Sequence, residues 1–288
     1  MNPLVSVVMA TYAGDEGEAL AQAVDSILAQ DYAPLELLIA IDGPVPPARL
    51  AYLEGLVEQP GVRLLPSAVN RGPAAARNRA IAAAQGDYIA IADADDWSAP
   101  GRITQQVAFL EAQGLDVVSG ALAVLQTEAP GDWESASLPA LLRALPRRSV
   151  PEAPSAVRAR APLMCPMANP ALFARAAVLK AHPFREDFRV AEDYELWVRL
   201  LRQGYRLGNG AEPWVIYRQQ AAALGRRQGW AYARNDFLIK LSALPLLPWG
   251  RRPLVLLLAL GASALRLAPR ALFLSVYRWR LRRQGPTA

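Results

Sequence analysis

Cysteine and histidine are nearly absent: the chain holds one of each, Cys165 and His182. A single cysteine closes no intramolecular disulfide, and its scarcity fits a reducing compartment. One Cys and one His cannot build a structural zinc site, which takes four such ligands. A Ser-His-Asp triad would have to run through His182, and no G-x-S-x-G turn is there to present the serine. His182 precedes Pro183, where a solvated or packed loop imidazole is expected. The first strand is followed by no G-x-G-x-x-G, which excludes an ordinary NAD-dependent dehydrogenase. Met1-Asn2-Pro3 runs directly into an apolar segment with no basic leader, so no secretory signal is expected and the location expected is cytoplasmic. Long apolar runs are also missing. Leu254 to Leu265 is stopped by Arg266, Pro269 and Arg270, short of the ~20 residues a membrane-spanning helix needs.

Acidic residues are absent from the last part of the chain. Residues 237–288 carry nine basic side chains and no acid, a net of +9, whereas residues 1–236 hold 22 Lys/Arg against 26 Asp/Glu, a net of −4. The overall +5 therefore describes a tail and not the main body. The domain expectation follows: a catalytic domain over 1–236 and an apolar, basic, helical tail over 237–288. Arginines interleaved with leucines suit helices lying in the interface of an anionic membrane, on its cytoplasmic face. The alternative is a pair of core-covering helices with solvated arginines. Nucleic acid is excluded as a partner, because the main body is acidic and the tail is apolar between its charges.

What is present is a regular alternation. Apolar runs at 4–10, 35–41, 62–65, 87–92 and 115–125 have the length and β-branched content of buried strands. Between them, residues 17–30, 46–58, 73–85 and 99–113 read as helices. Such alternation predicts an α/β domain with a largely parallel sheet, and ligands bind at the carboxyl ends of its strands. Residues 126–162, with six prolines, read as a connecting region holding one short helix near 137–145.

Two acidic motifs stand out on this frame. Tyr88-Ile89-Ala90-Ile91-Ala92 runs into Asp93-Ala94-Asp95-Asp96. Three carboxylates at the end of a buried strand repel one another and lose solvation. A hard divalent cation offsets that cost, and Mg²⁺ sites often combine one or two carboxylates with substrate phosphates. A solvated turn and helix cap is the plainer alternative. Glu192-Asp193-Tyr194-Glu195-Leu196-Trp197 opens a helix with an apolar stripe of Leu196, Trp197, Leu200 and Leu201. Its acids could simply complement the helix dipole. They could also supply a base for a hydroxyl proton.

The ordered set of motifs resembles the family 2 inverting glycosyltransferases of the GT-A fold, over roughly residues 4–218. It comprises the opening strand from Val5 to Tyr12, Ile41-Asp42-Gly43, Asn70-Arg71-Gly72, Ala76-Arg77-Asn78, Asp93-Ala94-Asp95-Asp96 and the Glu192–Trp197 segment. The chain looks most like members that build bacterial exopolysaccharide or O-antigen chains. The resemblance implies a Rossmann-like, mostly parallel central sheet. It implies nucleotide-sugar contacts at Thr11, Tyr12, Asp42, Arg77 and Asp93. It implies a D-x-D pair, Asp93 and Asp95, that engages the ribose or the diphosphate with Mn²⁺ or Mg²⁺. Asp96 follows, and whether Asp95 or Asp96 is the closer metal ligand stays open. Asp193 matches the general base and Glu192 its supporting neighbour. The acceptor implied is a saccharide or lipid-linked hydroxyl.

The chain departs from that family in places. Ile41-Asp42-Gly43 stands where Asp-Asp-Gly is common, Asn169-Pro170 where His-Pro is common, and Gln219 and Gln220 where a histidine often follows Tyr-Arg. The Q-x-x-R-W signature of processive synthases is absent, so transfer of a single sugar is expected. Two rivals share the general architecture. A sugar nucleotidyltransferase would show a glycine-rich loop where Thr11-Tyr12-Ala13-Gly14-Asp15 stands. A non-catalytic sugar-binding or membrane scaffold would have no need of Asp193.

Overall fold

The computed structural model describes residues 2–127, 136–219, 228–269 and 275. The first half follows the expected alternation: β1 (Val5–Thr11), α1 (Gly17–Leu28), β2 (Leu35–Asp42), α2 (Pro47–Gly55), β3 (Val62–Ser67), α3 (Pro73–Ala83) and β4 (Tyr88–Asp93). Then come β5 (Trp97–Ser98), α4 (Arg102–Gln113) and β6 (Val117–Gln126). β1, β2 and β4 are buried along almost their whole length, as strands covered on both faces must be. Side chains alternate between the two faces with the strand period of two. Val8, Leu38, Ile89 and Ile91 face one core with α3. Val7, Met9, Leu37 and Ile39 face the other, with α1 and α4.

Among the described residues the strands form one sheet of order β3-β2-β1-β4-β8-β6-β9-β5, with β7 (Arg147–Arg148) beside β6. β3, β2, β1 and β4 are mutually parallel. The short β8 (Phe173–Arg175) is antiparallel to both β4 and β6, so the two reversals return β6 to the sense of β4. β9 (Leu207–Gln219) then runs parallel to β6. The long strands thus share one direction, which makes the sheet mostly parallel.

The region expected to be a connection is more structured than its prolines imply. It holds α5 (Leu138–Ala144), which was expected, but also β7 and α6 (Pro154–Arg160). Pro154 opens α6 at the position where a missing N–H costs nothing, so it starts a helix instead of breaking one. Residues 128–135 of that region lie outside the described part.

After β8 come α7 (Ala176–Ala181) and α8 (Glu192–Arg202), whose Leu196, Trp197, Leu200 and Leu201 are buried as the stripe predicts. His182 is a packed loop imidazole, with Nε2 3.0 Å from the Tyr205 hydroxyl. Two helices close the described chain, α9 (Trp230–Ala243) and α10 (Arg252–Leu267). α9 packs on α8 and on α10, and it crosses residue 236 without a break. Among the described residues no helix is long and apolar enough to cross a membrane.

Candidate active site

Parallel register puts the ends of β1, β2 and β4 on one rim. Ala10 pairs with Asp93, Thr11 with Ile41, and Asp42 with Ser67. Thr11, Asp42 and Asp93 therefore leave the sheet at one edge, and each strand hands over to a loop there.

Asp42 organises its loop. Its Oδ1 accepts the Arg71 N–H at 2.9 Å and its Oδ2 the Gly72 N–H at 2.8 Å, while its carbonyl accepts Asn70 Nδ2 at 3.0 Å. Gly72, at φ +96°, is the residue from which α3 departs, so Asp42 caps that helix from a distance. A side chain at Gly43 (φ +86°) would meet the Asn70 amide at 2.9 Å, which requires glycine there. The loop and cap together aim the second turn of α3, and Arg77 with it.

Arg77 joins the two acidic motifs. One guanidinium nitrogen donates to Asp93 Oδ1 and the other to Glu192 Oε1, both at 2.9 Å. Its face lies 5.8 Å from the Phe184 ring. Burial acts to lower the Arg77 pKa, but the two carboxylates outweigh it and hold the charge more firmly than in water. Burial raises Glu192, Arg77 counters, and neighbouring Asp193 raises it further. Asp193 is half-buried at the start of α8, with Oδ1 accepting the Tyr194 N–H at 2.8 Å. Tyr194 anchors this turn by donating its hydroxyl to the Ala161 carbonyl at 2.5 Å.

Asp95 and Asp96 point to different surroundings. Asp96 is buried, and its Oδ1 accepts the Arg218 N–H from β9 at 2.9 Å. Its Oδ2 is buried and accepts no hydrogen bond. Burial, then Asp95 and Asp93, push the Asp96 carboxyl well above the usual range. Asp95 is less enclosed, yet burial, Asp93 and Asp15 raise it to about 6.

Asp15 is a residue that the sequence motifs passed over. It accepts the Thr11 hydroxyl at 2.9 Å and the Tyr12 N–H at 3.0 Å on one oxygen, and burial raises its pKa. Arg49 on α2 donates to the carbonyls of Tyr12 and Asp15, fixing this loop. The signal was available, since Asp15 lies in the loop after a parallel strand. Arg102 is the other omission, and nothing in its sequence context marks it. It is almost fully buried beneath the acidic turn and donates to the Ile91 carbonyl at 2.7 Å, Ser98 Oγ at 3.0 Å and Gln106 Oε1 at 3.0 Å. Burial lowers it to about 10, and Asp93 and Asp96 hold it up. Arg218 completes the setting, over the Trp97 ring at 5.3 Å and lowering both Asp95 and Asp96.

The donors suit a hard divalent cation. They are carboxylate oxygens, crowded enough to raise one another, and one buried oxygen of Asp96 lacks a hydrogen-bond partner. Among the described residues no three His, Cys, Asp or Glu side chains are drawn together as a complete metal cage. Remaining ligands would have to come from a substrate, as Mg²⁺ sites commonly arrange.

Comparison with known proteins agrees with this geometry. The family described as Glycosyl transferase family 2 matches residues 6–153, and Glycosyl transferase family group 2 matches residues 88–282. The chain is 31% identical to EpsE of Bacillus subtilis (strain 168), a protein named as a glycosyltransferase, over 82% of this chain and 81% of that one. It is 24% identical to the amylovoran biosynthesis glycosyltransferase AmsE of Erwinia amylovora, over 81% and 83%. In structure it is similar to S. aureus TarS residues 1–349, with a TM-score of 0.63 and 18% identity, over 89% of this chain and 70% of that one. It is also similar to the mannosyltransferase PcManGT of Pyrobaculum calidifontis in complex with GDP-Man and Mn²⁺, with a TM-score of 0.60 and 19% identity, over 98% and 81%. The chain belongs to glycosyl transferase family 2: it is a glycosyltransferase of the GT-A fold.

Proposed function

We propose that this enzyme transfers one sugar, with inversion, from a nucleoside-diphosphate donor to a saccharide or lipid-linked hydroxyl in cell-surface polysaccharide assembly. The observation that carries the assignment of roles is the Arg77 bridge. One buried guanidinium ties Asp93, at the end of the strand where donors bind in α/β sheets, to Glu192, beside Asp193. Donor-side and acceptor-side acids thereby meet across one cation.

In this proposal Thr11, Tyr12, Asp42 and the α3 loop receive the nucleotide. Asp93 with Asp95 or Asp96 would hold Mn²⁺ or Mg²⁺ with the diphosphate, the unpartnered Asp96 oxygen being one candidate ligand. When bound, the cation supplies neutralising charge to the departing diphosphate. Asp193 takes the acceptor proton as the hydroxyl oxygen attacks the anomeric carbon. Attack from the face opposite the leaving group inverts that carbon, and one base suffices because no sugar–enzyme bond forms. Arg77 holds Glu192 in place through its ion pair and counters the effect of burial on that carboxyl, beside Asp193.

The experiment is a screen of UDP-, GDP- and dTDP-sugars with Mn²⁺ and Mg²⁺, reading release of the nucleoside diphosphate. One donor is expected to be turned over in a metal-dependent way. Asp193→Asn should then cut turnover about 10²-fold or more, with donor affinity nearly unchanged, as loss of a general base predicts. Loss of binding and folding together in that variant would instead make Asp193 a helix cap.

The location proposed is the cytoplasmic membrane surface, where a lipid-linked acceptor would be met. Support comes from α10. Only Val255 and Ala259 are buried there, while Leu254, Leu257 and Leu258 are each more than half exposed. Arg251 and Arg252 stand at the start of that helix and Arg266 in its last turn, and the sequence of residues 237–288 carries the basic surplus.

A further inference from the structure

Ala191 is the single non-glycine residue with positive φ among the described residues, at φ +60°. Alanine gains nothing by that conformation, because its Cβ crowds the following carbonyl. Such backbone persists only where flanking contacts hold it. Two contacts do so here, one on each side. On the far side, Arg77 grips Glu192. On the near side, the buried Asn235 of α9 donates Nδ2 to the Val190 carbonyl at 3.0 Å.

Asn235 is itself held by the two terminal helices. Next to it, Asp236 is buried and accepts Lys240 Nζ at 2.7 Å and, from α10, Arg266 Nε at 3.3 Å. The Ser263 hydroxyl of α10 donates to the Ala233 carbonyl at 3.3 Å, and the Gly229 N–H to the Arg266 carbonyl at 3.1 Å. α10 thus locks the turn of α9 that carries Asn235.

We propose that Asn235 is a positioning residue for Asp193: by tethering Val190 it holds Ala191 in the left-handed conformation that sets the entry of α8 and hence the direction of the Asp193 carboxylate. The C-terminal helices are then part of the catalytic apparatus. This rests on Asp193 being the base. Without the tether, Ala191 relaxes to negative φ and the Glu192–Asp193 turn swings away. A glycine at 191 occupies either conformation without the steric cost, so it should keep the turn available when the tether is lost.

The test uses the full chain with Asn235→Ala, and with Asn235→Ala combined with Ala191→Gly. Amide hydrogen exchange reads residues 190–195. Release of nucleoside diphosphate from UDP-glucose, UDP-GlcNAc and GDP-mannose as probe donors reads turnover. Asn235→Ala should speed exchange at 190–195 alone and lower kcat about tenfold with the donor KM unchanged, the scale on which a left-handed alanine is disfavoured. Ala191→Gly in that background should restore most of the kcat, which repair of a general folding defect would not do. The inference is overturned if exchange at 190–195 is unchanged, if it rises evenly across α8 and α9, or if glycine restores nothing. A wild-type chain that turns over none of the probes would count against the proposed function, while the exchange response would still decide whether the tether exists.

Discussion

Single carboxylates at this site carry information that can be read without any substrate. Asp95 is raised from its ordinary 3.8 to about 6, by burial first and then by Asp93 and Asp15. The folded chain therefore keeps a proton on Asp95 over that interval, which the unfolded chain releases. Stability from this group is complete below about pH 4 and declines as pH rises through about 6. Asp96, Glu192 and Asp15 are raised as well and push the same way. In buffer freed of divalent cations, the urea midpoint is thus expected to fall between about pH 4 and 6, and Asp95→Asn should flatten that fall. Equal slopes for variant and wild type would mean that Asp95 is solvated. Legibility at this scale was uneven. Asp93, Asp95, Asp96 and Asp193 announce themselves by clustering at element ends. Arg102 does not, because its role comes from burial beneath β4, and burial of one arginine leaves no pattern in the chain.

Elements were legible where one segment suffices to define them. β1, β2, β4 and the stripe of α8 follow from apolar runs and helical spacing, since both are local properties of the chain. β9 was not read as a strand, although it is the longest among the described residues, at 13 residues. Gly208, Gly210 and Pro213 interrupt its pattern, and its pairing partner β6 lies far back in the sequence. Its register with β6 shifts around Ala121, where the two strands accommodate an irregularity. Trp214 fills the space left by the glycines: a Cβ at Gly210 would lie 2.5 Å from its ring, and one at Gly120 2.8 Å. Gly210→Ala should therefore destabilise the chain by about 1–3 kcal/mol through overpacking against a buried indole, as urea denaturation would register. An unchanged midpoint would show that Trp214 can move aside at no cost.

At the scale of the whole molecule, the contrast is between an acidic body and a basic, leucine-rich end. The exposed face of α10 allows a clean test of membrane contact, because Leu257 and Leu258 have little packing to lose. The full chain is expected to float with liposomes containing anionic lipid and to float less at high salt, where the Debye length shrinks to about 3 Å. Attraction is worth about 1 kcal/mol for each arginine that reaches the surface. Leu257→Asp with Leu258→Asp should abolish flotation while leaving the thermal midpoint in place. Flotation that ignores lipid charge, or survives both substitutions, would return α10 to a packing role.

Local order along the chain was enough to establish an α/β protein, its parallel first half and the two acidic motifs, because strand and helix periodicity and charge clustering are features of neighbours in sequence. How those motifs meet was settled by packing. The reversal through β8, the bridge from Asp93 to Glu192 through Arg77, and the tether from Asn235 to Val190 each join residues distant along the chain. Such contacts depend on backbone direction and on which groups lose water together. Neither quantity exists until the chain has folded, and so neither is written in the order of its residues alone.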